Sequence, residues 1–262
     1  MSEGASCAYR DGNDCRPGQP LFGGAAHSLE GELGTRALRC YAEELDERRL
    51  PQKAYLALRW AIRDLHLEPR RMLREREVVE ALGMSRTPVR EALVRLENEG
   101  WVRLVPRHGF VVTPLVADDL QQLYEVVEGL EGVAVALSTV RSRAEGLEEL
   151  DRLIAEQEEA LEANDVVTWA ELDAQFHRHI VYLSGNTRLG EILDNQDDQL
   201  YRARLYTINL RPKPMRSVEE HRAIVAAMRE RNAMIARELL EAHRRRGRDE
   251  ILHVIRAITP GR

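Results

Sequence analysis

The sequence predicts a mainly α-helical protein in which a winged helix-turn-helix domain is followed by an antiparallel bundle of six or seven helices. The prediction rests on two changes in hydrophobic periodicity. Residues 52–113 show helical spacing that gives way to a short strand, a turn and a second strand, and the residues after Pro114 return to long helical periods with almost no strand pattern. We therefore place the winged helix-turn-helix domain at residues 51–113 and the all-helical domain at residues 114–262.

Residues 1–50 are predicted to be a disordered N-terminal extension. They are rich in glycine, serine, aspartate and other small residues, and only a weak helical pattern occurs around Leu38, Tyr41 and Leu45. This segment also contains the three cysteines of the chain, Cys7, Cys15 and Cys40. An odd number of cysteines without metal-type spacing favours a reducing compartment over a disulfide framework.

The strongest local pattern lies at the start of the third helix of the first domain. Ser85 suits the N-cap position and Pro88 falls in the first turn, while Met84 and Val89 stand where a hydrophobic staple would lie. Apolar residues then recur at three- and four-residue steps and form a stripe that would be buried. The exposed side of the helix start is left with four polar residues, Ser85, Arg86, Thr87 and Arg90.

The elements around this helix follow the order helix, helix, turn, helix and two-stranded wing. Gly100 ends the third helix, and residues 102–105 and 110–112 form a hairpin with its turn at 106–109. In such a domain the third helix enters the major groove of DNA and the wing lies along the backbone or minor groove. Residues 52–113 carry a net charge of +4 and the remainder of the chain −10, so a basic DNA-binding module is joined to an acidic body.

Residues 52–113 resemble the DNA-binding domain of the GntR family of bacterial transcription regulators. The resemblance is carried by LGMSRTPVREAL at residues 82–93 and by LENEG at 96–100. It implies that seven residues approach the operator, the last two of them at the tip of the wing: Arg76, Ser85, Arg86, Thr87, Arg90, His108 and Gly109. The chain departs from the family at Pro69-Arg70, where Pro-Gly is usual.

The second domain is predicted to contain only helices. The periodicity places them at about residues 117–140, 144–163, 166–184, 188–207, 218–231 and 234–258. No run of eighteen apolar residues occurs, and the N-terminus lacks the pattern of a signal peptide. We therefore expect a cytoplasmic protein that does not bind a membrane.

Four residues of the helical domain are candidate metal ligands. Asp173 and His177 are four residues apart and so lie on the same side of one helix, beside its apolar stripe. His221 and His243 lie on the apolar faces of two later helices. Three imidazoles and one carboxylate suit Zn²⁺, our first choice, or Ni²⁺, Mn²⁺ or Fe²⁺, and they leave room for a further ligand. From the residues alone, histidines that form hydrogen bonds within the core are the alternative.

Residues 117–258 resemble the ligand-binding domain of the FadR-type subfamily of the GntR family. The segments DAQFH at 173–177, EHRAI at 220–224 and AH at 242–243 stand where many members have their metal ligands. The resemblance therefore implies that a divalent transition metal is held by Asp173, His177, His221 and His243. It also implies that the effector is a small organic acid whose carboxylate completes the coordination.

One departure concerns the effector contact. Val127 stands where many relatives have an arginine that pairs with the effector. An effector carboxylate would then need Arg202 or Arg204 from the fourth bundle helix, or the metal alone. The other interpretation of these two arginines is that they are surface charges.

These patterns predict an effector-responsive transcription regulator, not an enzyme. We expect a repressor that binds a pseudo-palindromic operator in double-stranded DNA as a homodimer and that changes its DNA affinity when the effector binds. The main alternative is a regulator of the same fold that holds no metal and senses a larger apolar ligand such as an acyl chain. A metal-dependent hydrolase is disfavoured, because no general base or nucleophile is placed next to the candidate ligands and the winged helix would be unexplained.

Overall fold

The computed structural model describes residues 29–258, with side chains from residue 34 onward. The described chain separates into two compact units, of which the first ends at Pro114 and the second begins at Leu115. The first unit combines helices with a small sheet and the second contains helices only. The predicted fold class, a winged helix-turn-helix followed by a helical bundle, is confirmed.

From residue 29 onward, where the structure describes it, the first unit contains four helices and a three-stranded sheet. The helices are α1 (Leu29–Glu44), α2 (Leu50–Arg63), α3 (Glu75–Leu82) and α4 (Arg86–Asn98), and the strands are β1 (Met72–Leu73), β2 (Val102–Val105) and β3 (Gly109–Val112). The sheet is antiparallel in the order β1-β3-β2. Strand β1 was not predicted, because two residues are too few to show an alternating pattern.

Helix α1 corrects the prediction that residues 1–50 are disordered. Residues 29–44 are helical, and Ala37, Leu38, Tyr41 and Ala42 are buried in the core of the first unit. Their spacing of one, three and one residues places them on one helix face. The Tyr41 hydroxyl also donates a hydrogen bond of 2.6 Å to Asp64 at the end of α2. A short apolar face therefore suffices to order this segment, because the rest of the unit provides the surface it packs on. The prediction for residues 1–28 lies outside the described residues.

Up to residue 258, the last that the structure describes, the second unit contains six helices, in agreement with the predicted six or seven. They are α5 (Ala117–Arg141), α6 (Ala144–Glu162), α7 (Val166–Leu183), α8 (Thr187–Thr207), α9 (Met215–Arg229) and α10 (Ala233–Ile258), and a short 3₁₀ turn follows α8 at Ile208–Leu210. Side-chain caps define two of the helix starts. The Asp165 carboxylate accepts from the Thr168 amide ahead of α7, and the Asn186 side chain accepts from the Leu189 amide ahead of α8.

The packing of these helices places the centre of the second unit between α5, α7, α8, α9 and α10. Helix α5 lies against α10 and α7, and α6 covers α7 and α9. Among the described residues, no helix is both long enough and apolar enough to cross a membrane.

The docking of α1 can be tested with Leu38→Ala. Leu38 is 3% exposed, so its truncation should destabilise the first unit by about 2–4 kcal/mol through lost apolar burial and the cavity left behind. Leu50→Ala is a matched control, because Leu50 is 49% exposed and should cost less than about 1 kcal/mol. Urea unfolding followed by circular dichroism measures both. Equal small effects would show that α1 does not belong to the folded unit.

Candidate functional site

The surface predicted to meet DNA is formed by the turn between α3 and α4. Gly83 ends α3 in the left-handed conformation with φ of +61°, which allows the chain to reverse within a few residues. Ser85 occupies the N-cap position of α4 in an extended conformation. Within the described residues its hydroxyl makes no capping hydrogen bond, so the predicted side-chain cap is wrong and Ser85 is left exposed to solvent.

The start of α4 is amphipathic in the predicted sense. Val89, Ala92, Leu93 and Leu96 are buried, and Ser85, Arg86, Thr87 and Arg90 are exposed. The side chains of Arg86, Thr87 and Arg90 line one concave surface with Glu75 at the start of α3. Arg76 is also exposed on α3, where its Nε lies 3.6 Å from Glu80.

The wing depends on a glycine at the residue predicted to be its tip. Gly109 has φ of +104°, and a Cβ atom built there would lie 2.6 Å from the carbonyl oxygen of Leu73 in β1. Only glycine therefore allows β1 to pair with β3, and this gives Gly109 a structural reason to be present. His108 is exposed beside it. Arg107, also exposed and with φ of +66°, is a basic residue of the turn that the sequence analysis did not single out.

The four candidate metal ligands come together in the second unit. Asp173 and His177 project from α7, His221 from α9 and His243 from α10. One potential ligand atom from each lies within 4.8 Å of the others. All four residues are at least 94% buried, so the cluster lies inside the bundle.

Hydrogen bonds from neighbouring residues determine the tautomers of two histidines. The Nδ1 atom of His221 lies 2.9 Å from the Gln157 amide oxygen, and the Nδ1 atom of His243 lies 2.8 Å from a Glu220 carboxylate oxygen. Both partners accept, so both Nδ1 atoms carry a hydrogen and, in an uncharged ring, the Nε2 atom presents a lone pair. These two Nε2 atoms lie 3.3 Å apart.

His177 completes the set of imidazoles. Its Nε2 lies 4.0 Å from the Asp173 carboxylate and its Nδ1 lies 3.5 Å from Glu131. Neither nitrogen makes a hydrogen bond with any described residue. Burial, reinforced by the charge of Arg244, lowers the pKa of His177 to about 4. Burial and the neighbouring imidazoles lower the pKa of His221 well below its usual value. Both rings are therefore neutral at pH 7.

The carboxylate of the cluster is held in its charged form. Burial by itself would raise the pKa of Asp173, but Arg204 and the imidazoles of His177 and His243 outweigh it, so that the pKa lies below its usual value. The nearest of these charges is the Arg204 guanidinium, 2.9 Å from Asp173 Oδ2. The site thus offers one anionic oxygen beside three buried imidazoles.

Comparison with known proteins agrees with this two-unit architecture. The model for "Bacterial regulatory proteins, gntR family" matches residues 50–112, and the model for the "FCD domain" matches residues 122–246. A regulator of the helix-turn-helix type from an unstable DNA locus of Streptomyces ambofaciens is 34% identical over 209 residues, which cover 79% of this chain and 86% of that protein. The chain belongs to the GntR family.

Two further proteins are similar to this chain over about three quarters of its length. The Nta operon transcriptional regulator of Aminobacter aminovorans is 31% identical over 193 residues, which are 73% of this chain and 89% of the relative. The solved structure of McbR/YncC from Escherichia coli has a TM-score of 0.68 and 24% identity, and covers 78% of this chain and 97% of that one. This chain is thus a bacterial GntR-family transcriptional regulator with an FCD effector-binding domain, and its family is one of DNA-binding regulators and not of enzymes.

The donor set of this GntR-family regulator fits a transition metal. The Nε2 atoms of His221 and His243 face each other at 3.3 Å, so one ion could bind both. Two nitrogens bound to one ion at about 2.0–2.1 Å are separated by about 2.9–3.4 Å for coordination angles between octahedral and tetrahedral. Three imidazoles and a carboxylate are ligands that Zn²⁺ and its neighbours in the periodic table accept.

The arginines predicted to bind the effector have other surroundings. Arg204 pairs with Asp173, and Arg202 is only 3% exposed, with burial lowering its pKa to about 10. Neither is a surface charge, and Arg204 already has an anionic partner. Val127 is fully buried in an apolar cluster, so this position of α5 provides no charged side chain for the effector.

Sequence reasoning missed the residues that surround the cluster. Glu131 on α5 is 1% exposed. Its two carboxylate oxygens accept hydrogen bonds from Nε and Nη2 of Arg244 on α10, and His177 lies next to the Glu131 carboxylate. Gln157 and Glu220 bind the two Nδ1 atoms described above. The only signal was the position of Glu131 on the inward face of α5, four residues after Val127 and seven after Tyr124.

Proposed function

We propose that this chain is a cytoplasmic repressor that binds a pseudo-palindromic operator as a homodimer, and that its FCD domain holds a divalent transition metal which binds a small organic acid. The observation that carries the metal proposal is the buried four-residue cluster in which the Nε2 atoms of His221 and His243 face each other at 3.3 Å. Binding of the acid changes the operator affinity, which makes the two sites thermodynamically linked.

The DNA contacts are assigned to the exposed start of α4 and to the wing. Arg86 and Arg90 have no ion pair with a described residue, so both guanidinium groups are free to meet base edges or phosphates. Ser85 and Thr87 add hydroxyl donors to the same surface. Arg76, which precedes these residues in the sequence, and His108, which follows them, are also exposed. Gly109 contributes by shaping the wing tip.

Arg90→Ala tests the DNA assignment. A dimer would lose two contacts of about 1–3 kcal/mol each, so the affinity for a DNA site selected from a random pool by the wild-type protein should fall by about 30-fold or more. Arg188→Ala is the matched control, because Arg188 is an exposed arginine of the FCD domain. Fluorescence anisotropy at fixed salt concentration measures both. Unchanged affinity of Arg90→Ala would contradict the assignment.

The homodimer is supported by an exposed apolar stripe on α5. Its members are separated alternately by three and four residues, as in the seam of a coiled coil: Leu123, Val126, Leu130, Val133, Leu137 and Val140. The three leucines pack partly on the core of their own domain. The three valines are 52%, 41% and 69% exposed, which is unusual for apolar residues that form a continuous row. The same stripe on a second copy would cover them.

Val133→Glu should dissociate the dimer, because the substitution introduces a charge at the middle of the stripe in both copies. Met234→Glu is the control, since Met234 is 67% exposed and lies outside the stripe. Light scattering after gel filtration should give the mass of one chain for Val133→Glu and of two chains for the control. A Val133→Glu protein that remains a dimer would exclude this surface as the main interface.

The preference for an organic anion follows from the charges around the proposed metal. Asp173 is balanced by Arg204, and Glu131 by Arg244. The positive charge of the metal would therefore remain. Arg211 is largely buried close to Tyr124; its Nη1 atom lies 3.4 Å from the partly exposed Glu250, whereas its Nε atom has no hydrogen-bond partner among the described residues. A carboxylate between the metal and the Nε atom of Arg211 would bind both, so Arg211 replaces Arg202 and Arg204 as our candidate for the effector contact.

Metal analysis tests the site. Wild-type protein purified without chelators should contain about one transition metal ion per chain, and His243→Ala should lose it because a ligand has been removed. His253→Ala is a close control, since His253 is an exposed histidine on the same helix. Elemental analysis by mass spectrometry measures all three proteins, and circular dichroism verifies that each is folded.

Two results would change the proposal. A wild type that contains no metal and takes up none when Zn²⁺ or Ni²⁺ is added would favour the second candidate, a metal-free regulator that senses a larger apolar ligand. Equal metal contents in His243→Ala and His253→Ala would show that the ion is bound elsewhere. Operator binding by wild type would remain informative in both cases, because it tests the DNA-binding role separately.

A further inference from the structure

A cavity lies in the FCD domain at the turn between α7 and α8. Its volume is about 320 Å³, enough for a small molecule. The cavity has an apolar lining from Val181, Tyr182 and Leu193. On the side of the turn it is lined by Gly185 and Gly190, which have no side chains to close it. None of the four candidate metal ligands is among its lining residues, so it is a separate compartment of the described bundle.

Asp197 is the feature of this cavity that needs an explanation. Its side chain lines the cavity although the residue is only 9% exposed. Its Oδ1 atom is buried and accepts no hydrogen bond from any described residue. A buried carboxylate oxygen without a donor is strongly destabilising, and native proteins rarely keep one unless a ligand, ion or proton satisfies it.

The charged groups nearby do not provide the missing hydrogen-bond donor for Oδ1 of Asp197. Burial raises the pKa of Asp197 to about 7, and Glu131 adds to the effect, whereas the positive charges of Arg244 and Arg178 oppose it. Arg178 also lines the cavity, but the Oδ1 atom of Asp197 accepts no hydrogen bond from it. Asp194 adds a second carboxylate at the wall. An ionised Asp197 at the wall favours a cationic occupant.

We propose that this cavity binds a small primary amine, whose ammonium group donates to Oδ1 of Asp197 and whose short apolar body lies against Val181 and Leu193. An ammonium provides three donors and the opposite charge, so it satisfies the orphaned oxygen better than a neutral hydroxyl would. A carboxylate of the kind proposed for the metal centre would be repelled by Asp197 and Asp194. The two sites therefore differ in the charge of the ligand they select.

The test compares three probes of the same length: n-butylamine, n-butanol and butyrate. Saturation-transfer difference NMR on the full chain, at about pH 8 where the amine is charged and Asp197 is mostly ionised, gives their affinities. The amine should bind about tenfold more tightly than the alcohol, in line with a charge-assisted hydrogen bond, and butyrate should not compete with it.

Two variants locate the amine. Asp197→Asn keeps the shape but removes the charge, and should reduce the preference for amine over alcohol by about tenfold. Gly190→Phe should abolish binding of amine and alcohol alike, because a Cβ at Gly190 meets no atom within 4 Å and the ring would fill the cavity. Glu191→Gln, on the exposed side of α8, should leave binding unchanged.

The proposal would be overturned if the wild type bound amine and alcohol equally, if it bound neither, or if amine binding survived in Asp197→Asn and Gly190→Phe. Metal content and operator binding, measured on the same variants, should stay at wild-type levels. Loss of the metal in His243→Ala with amine binding retained would separate this site from the proposed metal centre, so either proposal can fail alone.

Discussion

The constraint on which the helical unit depends is the burial of charge at its centre. Glu131, Asp173, Arg204 and Arg244 are each at most 6% exposed, in a bundle whose other inward residues are largely apolar. An unpaired charge in such a place is costly, and removal of one partner of a buried pair typically costs about 3–5 kcal/mol. The pairs Glu131–Arg244 and Asp173–Arg204 meet this constraint. The imidazoles of His177 and His221 stay neutral beside these pairs, because burial opposes a further positive charge.

The same contacts connect all six helices of the unit. The two ion pairs join α5 to α10 and α7 to α8. The hydrogen bonds of the two imidazole Nδ1 atoms join α6 to α9, through Gln157, and α9 to α10, through Glu220. The Gln157 amide nitrogen also donates to the Leu172 carbonyl oxygen at 3.3 Å, which joins α6 to α7. A ligand that displaces any one of these side chains therefore acts on a connected set of helices instead of on one. This is a physical route by which binding at the centre can change helix packing, in the sense that allosteric coupling requires.

The sequence predicted those features that depend on local spacing. The i, i+4 pair Asp173 and His177, the apolar faces that carry His221 and His243, and the exposed arginines of α4 all follow from helical periodicity. Partners brought together by tertiary packing were missed or misassigned. Glu131 and Arg244 are 113 residues apart, and Arg204 was assigned to the effector because its proximity to Asp173 has no local signature. Helix α1 was missed because its apolar face is short and gains its stability only from the surface it covers.

The proposed metal centre and the proposed amine cavity share the helix pair α7 and α8. At the proposed metal centre, α7 provides His177 and α8 provides Arg204. At the amine cavity, α7 provides Val181 and α8 provides Asp197. Asp197 is also close enough to Glu131 for the charge of Glu131 to raise its pKa. A cation bound at Asp197 would therefore stabilise the ionised Glu131 that lies against His177 and Arg244. Since linkage is reciprocal, occupation of the metal centre must alter amine affinity by the same factor by which the amine alters the affinity for the metal.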